Sequence, residues 1–157
     1  MSPKTPTLSA RPRSGPSPAR LWCLVVGAFL LLTGVVGFFY TANFDTGSAV
    51  AATDIYGVLA SNGWDNIAFI ALGVPLLLAA RDWAPQAALA GSILLGVIVV
   101  LGIAALGESG IPFVAENDRL VDLLPVSTFD VCLYAALAAL GLWAWRASKR
   151  TSTATNG

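Results

Sequence analysis

The chain has 157 residues, of which 56% are apolar and only 11% charged, and its mean hydropathy is +0.73. A water-facing globule carries about a quarter charged residues, so too little polar surface is present to cover one. Nine basic and nine acidic residues give a formal net charge of zero, which excludes the basic footprint of a nucleic-acid binder.

The length fits one domain. The chain has no histidine, and with it go the commonest metal ligand and the usual proton carrier near neutral pH. No metal and no cofactor is expected. Cys23 and Cys132 lie far apart in different apolar runs. They read as small packing residues rather than a disulfide or a redox pair.

Residues 1–19 hold Pro3, Pro6, Pro12, Pro16 and Pro18 among Ser, Thr and Arg. Such a segment buries too little apolar area to offset its ordering entropy, which predicts a disordered basic tail. The first helix is predicted over about 21–42. Leu21 to Tyr40 carries no charge, and about 20 apolar residues cross a hydrocarbon core of about 30 Å. A cleaved signal peptide is the rival reading. The run is longer than an h-region of about 7–15 residues, and a cut after Ala42 would put bulky Tyr40 where a small residue belongs. Gly27, Gly34 and Gly37 let a neighbouring backbone approach closely. Residues 43–61 form an acidic loop with Asp45 and Asp54, and 49–60 is read as a short interfacial helix.

The second helix is predicted over about 62–80. Asn62, Asp65 and Asn66 crowd its first turn, where unpaired N–H groups favour such residues. Gly73 is a packing position and Pro75 a tolerated kink. The third helix, about 86–107, is uncharged. Its Ala88, Ser92 and Gly96 share one face as a small-residue packing stripe. A second acidic loop over 108–123 carries Glu108, Glu116, Asp118 and Asp122 beside Arg119. The fourth helix is predicted over about 124–145, with Pro125 in its first turn. Asp130 and Tyr134 lie one turn apart and face the same side. A tail over 147–157 follows.

Eight of the nine basic residues fall in the tail before the first helix, in the 81–85 connection or around the last helix end, and only Arg119 lies in the two acidic loops. The positive-inside rule then places both termini in the cytoplasm and the acidic loops outside. Trp22, Trp83, Trp143 and Trp145 fall at the cytoplasmic ends, as an aromatic belt would. A gapless alignment of 65–81 with 130–146 superposes Asp65 on Asp130, Phe69 on Tyr134 and Arg81 on Arg146. It predicts two parallel helical hairpins, with both aspartates at similar depth near the outer face.

The expected fold is all-α, an integral membrane bundle of four transmembrane helices. Asn62, Asp65, Asn66, Asp130 and Tyr134 form the candidate polar cluster. An ionisable group inside a membrane raises a functional suspicion, yet each aspartate equally suits a helix cap. No nucleophile–base spacing is present, so no enzyme is expected. The leading expectation is a structural or accessory protein of the plasma membrane, packing with itself or with a membrane-protein partner. The alternative is binding or passage of a small solute or ion at the cluster between helices two and four.

Several stretches also resemble a bacterial four-helix membrane family, domain of unknown function 4383, over about residues 20–145. Residues 24–38 are similar to the family's opening helix, and Asn43-Phe44-Asp45 to the segment after it. The family's second helix usually reads His-Asn-x-x-His-x-x-x-Gly, matched here by Asp65, Asn66, Phe69 and Gly73. Its fourth usually reads Asp-x-x-Leu-His after a proline, matched by Pro125, Asp130, Leu133 and Tyr134. All three histidine positions are substituted, so no role of those histidines carries over. The resemblance implies the four-helix membrane fold and no particular activity.

Overall fold

A computed structural model describes residues 15–46, 52–106, 115–116, 119–120 and 124–154. Four helices dominate it: α1 (Pro18–Tyr40), α2 (Gly63–Ala79), α3 (Ala84–Leu106) and α4 (Thr128–Ala154). Three of them, α1, α3 and Thr128–Arg150 of α4, are long and apolar enough to cross a membrane. Residues 1–14 of the expected tail and most of the second acidic loop lie outside the described residues.

Short strands join the helices. β1 (Thr53–Ile55) pairs antiparallel with β2 (Leu59–Ser61), Ile55 opposite Leu59. Beyond α3, β3 (Ala115–Glu116), β4 (Arg119–Leu120) and β5 (Leu124–Pro125) form a small antiparallel sheet in that order. The interfacial helix expected over 49–60 is therefore corrected to a hairpin over the described part of that stretch, residues 49–51 lying outside the described residues. The sequence turns at Tyr56-Gly57, both with positive φ (56° and 74°), and the Val58 N–H donates to the Ile55 carbonyl. A helix cannot continue through two left-handed residues. The three β2 residues are buried, as is Ile55, so the hairpin closes the end of the bundle rather than lying on it.

The helices pair mainly as α1 with α2 and α3 with α4, while α1 also touches α3 and α4. Glycine explains the first pairing. A methyl group at Gly73 would lie 2.8 Å from the Gly27 carbonyl oxygen, and one at Gly34 would lie 2.6 Å from that of Asn66. Both are closer than a side chain tolerates, so the α1 and α2 backbones touch. Ala88 and Ser92 are buried on α3, and the Ser92 hydroxyl bonds back to the Ala88 carbonyl at 2.6 Å. At Gly96 a methyl group would meet open space. The buried face of α3 continues instead through Leu95.

The ends of α1 and α4 meet. The Ala19 N–H, one of the unpaired donors at the start of α1, donates to Ser148 Oγ at 3.0 Å. Helix α4 thus runs on through the basic stretch expected as a tail, and Lys149 Nζ sits 4.6 Å above the Trp145 ring. Trp22 corrects its expected place in an aromatic belt. It is buried, its indole donates to the Leu137 carbonyl at 3.1 Å, and it packs where Gly141 leaves room. Trp83 and Trp143 are exposed on the rim.

Candidate functional site

Helix α2 opens with a reciprocal cap. Asn62 Oδ1 accepts from the N–H groups of Trp64 (2.9 Å) and Asp65 (3.1 Å), and Asp65 Oδ2 accepts from the Asn62 N–H at 3.2 Å. This is a capping box, which satisfies donors that the helix start would otherwise leave unpaired. Helix α4 opens the same way. Ser127 Oγ accepts from the Asp130 N–H at 3.2 Å, and Asp130 Oδ2 accepts from the Ser127 N–H at 2.8 Å. Asp65 and Asp130 therefore hold the same position, third in the first turn of their helices.

The start of α4 corrects the sequence reading. Pro125, expected in the first helical turn, lies in β5, and the helix begins at Thr128. Proline suited a helix start, but Ser127 supplies the better cap. The signal was legible: Ser127-Thr-Phe-Asp130 has the spacing of a capping box.

The five cluster residues fall into two groups joined by the Asn62–Asp65 cap. Asn62 and Asn66 belong to a buried network shared by α1, α2 and β2. Asn66 is fully buried. Its amide donates to the Thr41 carbonyl at 2.9 Å, and its Oδ1 accepts from the Ser61 hydroxyl at 3.0 Å. Gly37 of α1 lies directly against that carboxamide. The 43–45 segment is tied to the same end. The Gly63 N–H donates to the Asn43 carbonyl at 2.6 Å, and the Trp64 indole donates to the Phe44 carbonyl at 3.1 Å. The Trp64 and Phe44 rings meet edge to face at 5.3 Å. Ser61 and the Thr41 carbonyl went unnoticed in the sequence, because nothing local reveals which chain segment a buried asparagine will meet.

Asp65, Asp130 and Tyr134 form the second group. They line one small cavity of about 50 Å³, closed by Leu30 of α1, Phe69 of α2 and Leu95 and Ile98 of α3, with Leu124 to Val126 at its rim. Its walls are apolar apart from these three side chains. Asp130 is 1% exposed. Its Oδ2 closes the cap, whereas its Oδ1 accepts no hydrogen bond among the described residues. Neither Asn66 nor Asn62 lines this cavity. No group of three or more acidic, histidine or cysteine side chains suited to a metal occurs among the described residues.

No curated protein and no solved structure matches the chain. A family match covers residues 20–147, which takes in all four helices up to the middle of the α4 basic stretch, both capping boxes and the cavity. The chain belongs to the family described as domain of unknown function DUF4383.

Proposed function

We propose that the protein is a four-pass protein of the plasma membrane, with both termini in the cytoplasm. In this reading it does no catalysis, and it acts as a structural or accessory component through packing with itself or with a membrane-protein partner. The observation that carries this is the use made of the two buried carboxylates. Each spends an oxygen on starting a helix, which is an architectural task.

The depth of α2 supports the fourth crossing. Its 17 residues span about 25 Å, a little under the hydrocarbon thickness. Yet its start lies beside Thr41 at the end of α1, while just beyond its end the Cys23 thiol meets the Ala84 carbonyl. A bilayer that α1 crosses is thus matched by α2. The Ala19–Ser148 bond favours termini on one side, and the basic residues gathered there favour the cytoplasm. Large apolar side chains on the outer faces, such as Phe39, Leu78 and Val100, suit contact with lipid.

Crosslinking in the native membrane, followed by identification of the captured species, tests the accessory role. Self-capture or capture of a defined membrane protein is expected. A chain that stays monodisperse in buffer without detergent would overturn the reading.

A further inference from the structure

We infer that the cavity between Asp65, Asp130 and Tyr134 is a binding site for one small cation, held as a proton shared by the carboxyl pair or as a sodium-sized ion. This goes beyond the accessory role and does not depend on it. The argument starts from the two oxygens of each carboxylate. Capping uses Oδ2 of Asp65 and Oδ2 of Asp130. That leaves Asp130 Oδ1 buried and within hydrogen-bonding geometry of no donor among the described residues, although the Ala60 backbone N–H also acts on this carboxylate; Asp130 itself lines the cavity. A buried acceptor without a donor is costly, and a charged one more so. A capping role alone does not require the carboxyl group to line a cavity.

The surroundings select the ligand class. On α2 the titratable group is Asp65, and on α4 they are Asp130 and Tyr134. From β1, Asp54 adds a further negative charge near Asp130. Helices α1 and α3 and strand β5 contribute apolar side chains, among them Leu30, Leu95 and Leu124. No lysine or arginine lines the cavity among the described residues. Acceptor oxygens with one phenolic hydroxyl and no basic group repel anions and suit a positive charge. Two carboxylates rather than three or more suit a single charge better than a divalent ion. The volume of about 50 Å³ admits one ion with little accompanying water. The apolar walls strengthen the attraction by excluding solvent.

The full chain in detergent micelles provides the test, with its thermal unfolding midpoint followed in two titrations. One exchanges choline chloride for sodium chloride at constant ionic strength. The other compares acidic with alkaline buffer. Asp130→Asn and Asp65→Asn keep an oxygen for each cap and remove the negative charge. If a sodium ion is bound, the native midpoint rises by several degrees with sodium and saturates, and both variants lose that rise. If a proton is bound, sodium has no effect, the native midpoint falls from acidic to alkaline buffer, and each variant, keeping one buried aspartate, falls clearly less than the native chain. A native chain indifferent to both titrations overturns the site, as do variants that retain the native response. Should one variant fail to fold, the other decides.

Discussion

Asn66 of α2 occupies the space that a side chain at Gly37 of α1 would need. The contact is close because the carboxamide is held at both ends, by the Thr41 carbonyl and by the Ser61 hydroxyl. Gly37→Ala must therefore either push α1 away from α2 or displace a fully buried amide from two hydrogen bonds. Overpacking and a lost buried bond each cost about 1–3 kcal/mol. The substitution should lower the unfolding free energy in detergent by about 2–4 kcal/mol. Gly96→Ala is the control, since a methyl group there meets open space. It should be neutral or stabilise by up to about 1 kcal/mol, the helix propensity difference. Equal effects at the two glycines would show that Gly37 is not a contact.

The two capping boxes make a paired prediction. Asn62→Ala and Ser127→Ala should each destabilise by about 1–2 kcal/mol, as lost N-caps do. Asn62→Ser and Ser127→Thr should retain most of the stability, because an acceptor oxygen remains and no charge is buried. Chemical denaturation of the four variants checks this. A loss at Asn62 without one at Ser127 would break the equivalence of the two helix starts.

Trp22, Ser92 and Gly141 meet where α1, α3 and α4 converge. A methyl group at Gly141 would overlap the Ser92 hydroxyl and crowd the Trp22 ring at 2.8 Å. Gly141→Ala should cost about 1–3 kcal/mol. Ser92→Ala should recover part of that loss in the double variant, because it removes one of the two obstacles. Strict additivity in a double-mutant cycle would contradict the contact.

The proposed topology has its own check. A reporter active only in the cytoplasm should work when fused at either end and fail when inserted near residue 47 or residue 110. Activity at either inserted position would overturn the orientation and leave the helix packing untouched.

Much of this molecule was readable from residue order, and the reason is solvent. Apolar runs such as 21–40 and 86–106 have few ways to satisfy their backbone groups outside helices, so α1 and α3 came out within a few residues, whereas the basic end of α4 did not. Signals carried by neighbours in sequence were also legible: polar residues at the first turn of α2, Asp130 and Tyr134 on one face, the glycines of α1. The gapless alignment of 65–81 with 130–146 pointed to equivalent helix starts, and both carry the same cap. What failed was short and depended on the partner. The 49–60 stretch carries helix-compatible residues, but Tyr56-Gly57 turns its described part back into a hairpin that buries Ile55 and β2 against the helix ends and leaves its turn exposed. Trp22 has the composition of an interface anchor, yet Gly141 on a distant helix opens a slot for it.

Sequence alone thus settled that the chain is made of apolar helices and where its few polar side chains lie along them, because hydropathy and capping act over a few residues. Only tertiary structure decided which polar groups meet. It drew Asn66 to α1 and β2, and it brought Asp65, Asp130 and Tyr134 to one cavity. Packing of small residues sets those distances, and neither the step from Asn66 back to Thr41 nor the 65-residue step from Asp65 to Asp130 carries a local signal that foretells the meeting.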